Sequence, residues 1–476
     1  YAYGAIPGQI TSVDRGAGVV EVSNTYDASG RITAQTDAEG RASTYTYSSS
    51  SSRYVDGAGV AEDHTWNMRG QVTSIGTGTT AMRFTYNVNN RPSMIISAGG
   101  DTTLFTWHES GRPASIRHGA GGVERWEYRQ RQWNGATVWD CTTHIDEVGR
   151  RITFERDGRG WLTGIGGATR PFTYTRDTQT GLITEARSMS ATTMYTYDAS
   201  GHITSMRNAL GATTTFITNG RGDVTKISYP DTSSVSFEYD AHGKVTKYTD
   251  EMGASTSWTY DRWGRVSSET GPGSVTTTYG IDRTGRMTRM SRAGRDAVTF
   301  DYDDAGRLTT THVGSSIVTS REYDNAGWLS AIADAESRKE LYTNNADGYI
   351  TKHVARAGGM TEFQHDGRGL ITDVTTPTGG AEAFRFDASG DVIDYRDASQ
   401  RFSAFTYGRT GQISRWQHGP VNTVMTYDTL GRITSCRDTD GGTWNYAYNA
   451  MDLVTKRTDP SGSSTTYDYD LRGRVR

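Results

Sequence analysis

One period governs this chain. The unit Tyr-Asp-x-x-Gly-Arg recurs so that its glycine position falls at 201, 222, 243, 264, 285, 306, 327, 348, 369, 390, 411 and 431, then at Asp452 and Gly473. Thirteen steps cover 473 − 201 = 272 residues, twelve of 21 residues and one of 20. Self-similarity over more than half of a chain marks a repeat architecture, in which each unit buries its faces only against its neighbours. A second turn signal follows about ten residues after the first, as in "DAEG" at 37–40, "NALG" at 208–211, "DEMG" at 250–253 and "DPSG" at 459–462. Two turns per repeat leave two segments of strand length, about seven residues each. In "TWNYAYN", Trp444, Tyr446 and Tyr448 alternate with small or polar residues, so one face is aromatic. Each repeat reads as a β-hairpin, and successive hairpins as a meandering antiparallel sheet.

Before residue 201 the period is looser. The turn position falls at Gly8, Gly30, Ser51, Gly70, Asn90 and Gly111, with "YSSSSS" a serine-substituted copy of the same six positions. Between 112 and 160 the phase is lost, around "ERWEYRQRQWNGATVWDCTTHIDEVGRR", and it recovers through Gly160 and Gly181. We read 1–476 as a single array with an irregular or inserted repeat at 112–160. Both ends fall inside a repeat, as expected of a piece of a longer polypeptide.

Composition agrees with strands and not with helices. Gly is abundant at 56 residues and Pro scarce at 9, and no Gly-free run of strong helix formers exists. Leu, Ile, Val and Phe make up only about 15% of the chain, a level that warns of disorder. The net charge of −4 and the 11% aromatic content oppose that warning. The expectation is an ordered protein held by Tyr, Trp, Thr and Ile on pleated surfaces, without a thick aliphatic core. Two cysteines, Cys141 and Cys436, make neither a disulfide framework nor a Cys-based metal site.

The residue types suit turns. Asp accepts backbone N–H groups two residues on, and Gly supplies positive φ. The Tyr before Asp ends a strand, where its ring can cover a neighbouring ring and its hydroxyl can reach water or a partner. The Arg after Gly can pair with an acidic residue on the adjacent turn or stack on an aromatic. The structural positions singled out this way are Tyr26, Asp27, Gly30 and Arg31; Tyr197, Asp198 and Gly201; Tyr239, Asp240 and Gly243. With them go Tyr260, Asp261, Gly264 and Arg265; Tyr302, Asp303, Gly306 and Arg307; Tyr427, Asp428, Gly431 and Arg432.

On these residues the chain closely resembles the YD repeat of bacterial Rhs proteins, shared with the C component of insecticidal ABC toxins and with teneurins. The resemblance implies an all-β fold: a long antiparallel hairpin ribbon spiralling into a hollow YD-repeat shell. It implies a non-catalytic part of a secreted polymorphic toxin that encapsulates its own C-terminal toxic domain as cargo. Such a protein is delivered from a bacterial cell by a secretion system in interbacterial competition or against a host. Spike or adaptor proteins would then be partners through segments outside this chain. Toxin members of the family carry an aspartyl protease near the end of the shell; here only "DPSG" resembles part of its motif, in an ordinary second-turn position. The alternative implied by teneurins is an extracellular adhesion or carbohydrate-binding array.

No other motif competes. There is no G-x-S-x-G elbow and no H-E-x-x-H, so neither catalytic nor metal residues nor a cofactor are expected. "RGD" at 221–223 falls on the repeat's own turn, and "GAGG" at 119–122 lacks the Lys-Ser/Thr of a phosphate loop. The stretch Arg125–Trp133 mixes cations with aromatics, as a single-stranded nucleic-acid surface or cation–π packing within a sheet does. A pI near 6.2 favours packing and argues against nucleic acid. No membrane-spanning stretch is visible. A sugar-cleaving reading would rest on Asp146 and Glu147, which lie off the register.

Overall fold

The computed structural model describes the chain apart from residues 5, 15–19, 120, 168–170, 189–190 and 409 and the side chain of Thr79. The described residues form 45 strands and one 3-10 turn at Gly78–Thr80, with no α-helix among them. The motif at 119–122 includes Ala120 and so lies partly outside the described residues. Most strands are five or six residues long, a little shorter than the repeat spacing implies, because the turns take five residues each. Within each unit described below, pairing is antiparallel between chain neighbours.

The strands form two compact units, Tyr1–Leu104 with Thr256–Gly379, and Phe105–Ser255 with Gly380–Arg476. Each unit therefore joins an early and a late stretch of the array. The joining follows one rule in both. Second turns of the early stretch meet first turns of the late stretch, at separations of mostly 239–250 residues.

In the first unit the Arg283 backbone N–H donates to Glu39 at 2.8 Å, and the Gly99 N–H to Asp347 at 2.9 Å. In the second, Arg472 lies over the Tyr229 ring at 3.8 Å and pairs with Glu251 at 2.8 Å. There Arg474 pairs with Asp231 at 2.6 Å, and Arg150 with Asp391 at 3.3 Å.

The thin composition has its structural counterpart. The buried apolar residues are Ala81, Ala212, Val235, Ala331, Ala333 and Leu430, and no large side chain is fully enclosed among the described residues. Strands alternate between a half-buried aromatic face and an exposed one; in Thr443–Tyr448, Trp444, Tyr446 and Tyr448 are half-buried while Asn445 and Ala447 are exposed. Exposed faces carry hydroxyl ladders, as where Thr259 meets Ser267 at 2.8 Å and Ser268 at 2.7 Å.

Candidate functional site: the turn ladder and the long hairpin

The first turn is built by its aspartate. At Asp261–Arg265 the Gly264 N–H donates to the Asp261 carbonyl at 2.8 Å, and the Asp261 N–H to the Arg265 carbonyl at 2.9 Å. Gly264 has φ 77°, and the register slips between Thr259 and Tyr260. This is a type I turn closed by a left-handed residue and a bulge, which matches the twist of the strands. The Asp261 carboxylate takes the N–H groups of Trp263 and Arg265 on one oxygen and the Arg265 guanidinium on the other, at 2.7 Å. Burial pushes this carboxyl up, and the Arg265 N–H and guanidinium outweigh it, so Asp261 ionises below the usual range.

Asp27, Asp303 and Asp428 hold Arg31, Arg307 and Arg432 in the same way. Asp198 pairs with His202, and Asp240 takes the N–H groups of His242 and Lys244. Gly30, Gly201, Gly243, Gly306 and Gly431 all have φ between 77° and 86°.

The tyrosine and the arginine join one repeat to the next, in a manner the sequence left open. The hydroxyls of Tyr26, Tyr197, Tyr239, Tyr302 and Tyr427 donate to main-chain carbonyls of Ile10, Ile183, Val224, Met287 and Ile413, 14–16 residues back. They therefore bond to the preceding hairpin. Arg31, Arg286, Arg307 and Arg432 lie over the rings of Tyr47, Tyr302, Tyr323 and Tyr448, at 4.5–4.8 Å. Arginine thus pairs within its own turn and stacks on the next repeat's tyrosine, a cation–π contact (~1 kcal/mol).

In many repeats the residue after one first-turn glycine covers the next, as Leu182 does at Gly201, His202 at Gly222 and Arg286 at Gly306, whereas Gly70 is open and Gly243 and Gly411 meet Arg221 and Arg150. A β-carbon on Gly348 would lie 2.7 Å from the Trp328 ring, and one on Gly369 would strike the Tyr349 ring.

Two sequence expectations change, and a third gains its structure. Ser51 is not a left-handed turn residue: Ser48 pairs with Ser51 across a two-residue loop, and Ser51 begins the strand Ser51–Val55. This two-residue loop stands in place of the five-residue bulged turn, which shortens this repeat. Asp146 and Glu147 are not off the register, because Asp146 starts an ordinary second turn, with its carboxylate on the N–H groups of Val148 and Arg150. The region 112–160 contains a long hairpin, Val123–Trp133 and Ala136–Ile145, closed by Asn134 (φ 49°) and Gly135 (φ 77°). From Gly111 to Gly160 is 49 residues against 42 for two repeats, and the seven extra residues lengthen these two strands. Asn-Gly was the available signal, since both residues tolerate the positive φ of a two-residue hairpin turn.

Neighbouring strands pair only with the base of this hairpin, at Val123–Arg125 and Thr143–Ile145. Its middle is braced from both sides. Trp126 stacks on His144 at 5.2 Å, and His108 meets Tyr128 and Trp139 at 4.9 and 4.6 Å. Arg131 pairs with Asp140, 8% exposed, at 2.6 Å. That hydrogen bond holds the Asp140 carboxyl below its ordinary range. Trp126, Tyr128 and Arg131 of the basic–aromatic stretch are half-buried in this packing, whereas Arg125, Glu127, Arg129, Gln130 and the tip from Gln132 to Thr137 are exposed. In "RGD", Arg221 pairs with Asp223 at 2.9 Å and donates to the Asp240 carbonyl of the next turn, so its charges are engaged within the array. Asp459 of "DPSG" forms a second turn with Ser463. Among the described residues no three His, Cys, Asp or Glu side chains gather as a metal site, and no helix is long and apolar enough to cross a membrane.

The teneurin YD-shell family matches residues 293–401 and 384–476, and the RHS repeat matches 26–55, 219–251 and 239–276. No curated protein sequence matches the chain. Among solved structures, the TcdB2–TccC3–Cdc42 crystal structure is 11% identical with a TM-score of 0.58, covering 95% of this chain and 30% of that one. The Tc holotoxin pore of Photorhabdus luminescens is 12% identical with a TM-score of 0.50, again over 95% of this chain and 30% of the other. This chain thus spans about 30% of the length of the chains it resembles. At these identities the likeness concerns the fold, and the fold is the hairpin array described above. Repeat geometry, family matches and shared fold agree: residues 293–476 match the teneurin YD-shell, residues 26–55 and 219–276 match the RHS repeat, and the chain has the all-β YD-repeat shell fold.

Proposed function

We propose that this chain is a non-catalytic part of a β-shell that encapsulates a C-terminal toxic domain of a secreted, Rhs-type polymorphic toxin. The observation that carries the reading is the edge rule: in both units the array meets itself again after mostly 239–250 residues, second turns against first turns. A ribbon that returns at a constant interval and docks edge to edge winds into a wall. Edge docking also covers turns and backbone that would otherwise recruit other chains. The single-layer build supports the same reading, since a wall with two accessible faces needs no dense core.

On this reading the turn residues Tyr, Asp, Gly and Arg are structural, the array from 1 to 476 is one domain, and the cargo domain is the principal partner. Delivery against competing cells, secretion-system adaptors and an extracellular destination follow from the same proposal. Electron microscopy of the full-length product, with limited proteolysis, tests it. The expected result is a cavity containing density and a C-terminal domain cleaved at least about tenfold more slowly than the same domain expressed alone, a difference of roughly 1.4 kcal/mol. A solid particle, or a C-terminal domain cut at its free rate, rejects encapsulation.

A further inference from the structure

The turn ladder departs from its pattern at neighbouring repeats of the first unit. Where repeats such as Gly264-Arg265 and Gly306-Arg307 carry Arg after the turn glycine, Trp328 and then Tyr349 stand, and where Tyr260 or Tyr302 precedes the turn, Asn344 and then His365 stand. Tyr349 and His365 stack at 5.3 Å with an interplanar angle of 23°, in place of arginine over tyrosine. Imidazole is shorter than phenol, and His365 Nδ1 is buried without a hydrogen-bond partner. A cleft of about 500 Å³ opens at this break, lined by Glu340, Tyr342, Tyr349, His353, Phe363 and His365 among others. His353 stacks on Tyr342 at 5.1 Å, and its Nε2 is the second buried nitrogen without a hydrogen-bond partner, 3.6 Å from Glu340.

The chemistry narrows the ligand. The cleft has the size of a small-molecule site and is walled by rings with a few polar atoms, as such sites are. Its carboxylate is already engaged: Glu340 accepts the Tyr342 hydroxyl at 2.8 Å and pairs with Arg356 at 3.2 Å. A cation would therefore find the charge of Glu340 offset by Arg356. The two orphan nitrogens call for groups that both donate and accept, which hydroxyls do whichever ring tautomer is present. Flat aromatic walls with hydroxyl partners at their edges suit a ring with an apolar C–H face and a polar rim. We propose that this cleft binds a neutral pyranose residue, its C–H face on Tyr349 or Phe363 and its hydroxyls on His353, His365 and the free lone pairs of Glu340. The site lies within one unit and does not depend on the shell reading.

The test uses this chain with methyl glycosides of glucose, galactose, mannose and N-acetylglucosamine, followed by saturation-transfer NMR titration. Choline and N-acetyltyrosinamide serve as competing probes. H365Y and the double variant Tyr349→Arg, His365→Tyr restore the residues of other repeats and fill the cleft without breaking the fold. We expect at least one glycoside to bind saturably, and both variants to lose at least about tenfold in affinity while the denaturation midpoint stays equal or rises. Absence of binding by all four glycosides, equal binding by H365Y, or binding of choline or tyrosinamide alone would each overturn the assignment.

Discussion

First and second turns are the same local structure with different surroundings. Asp250 in a second turn accepts the N–H groups of Met252 and Ala254 just as Asp261 in a first turn accepts those of Trp263 and Arg265. The contrast lies in what covers them. First-turn glycines such as Gly348 and Gly369 sit under a side chain from the preceding repeat, whereas second-turn Gly253 and Gly358 face open space. The exceptions obey the same division. Non-glycine left-handed residues occur at second turns as Thr232, Ser274, Ser337 and Gln400. At first turns they are Asn90 and Asp452, each accepting an arginine from the preceding repeat, Arg69 at 3.1 Å and Arg432 at 2.8 Å. Local turn chemistry is therefore shared by both edges, and the ladder of arginine over tyrosine belongs to one.

The largest effect expected from this contrast is in glycine replacement. Gly369→Ala meets both the positive-φ cost and the Tyr349 ring, together about 3 kcal/mol, whereas Gly253→Ala meets only the backbone cost, about 1 kcal/mol. Denaturant midpoints of the two variants check this, and equal losses would break the distinction between edges. Next comes the hydroxyl bond between repeats: Tyr302→Phe removes the donation to the Met287 carbonyl (2.7 Å) and should cost about 1 kcal/mol. A loss below the error of the melt would mean that the ring alone joins the repeats.

Smaller still, Thr232→Gly at a second turn should stabilise by roughly 0.5 kcal/mol, because relief of a β-branched residue at φ 70° exceeds the added chain entropy. Asp452→Gly should not stabilise, since it gives up the Arg432 bond.

The last test concerns the joint between early and late stretches. Asp231 is held at about 2, by its bond from the Ser233 hydroxyl first and then by the Ser233 N–H and Arg472. A depressed folded value means stability that is present above the ordinary 3.8 and lost as pH falls towards 2. D231N should flatten part of that acid slope and leave stability at pH 7 less salt-sensitive. An unchanged slope would remove Asp231 from the joint.

Much of this was legible in the residues. The 21-residue spacing of Tyr-Asp-x-x-Gly-Arg dictated hairpins, because aspartate, a positive-φ residue and alternating aromatics each prefer those positions. The serine run at 48–52 defeated the register for a physical reason: none of these residues is left-handed, so the ruler had nothing to mark. The long hairpin was hidden because its strands continue the alternation of their neighbours, and only Asn134-Gly135 betrays the turn. The cleft at Tyr349 and His365 is a departure from the period, visible as two substitutions but not as a hollow.

By itself, then, the sequence determined turn type, strand direction and the aromatic face, all of which depend on residues within one repeat. The tertiary structure alone decided which edge docks on which, and across what interval. Those choices depend on how a small twist per hairpin accumulates over many repeats until Arg283 comes beside Glu39 and Arg474 beside Asp231.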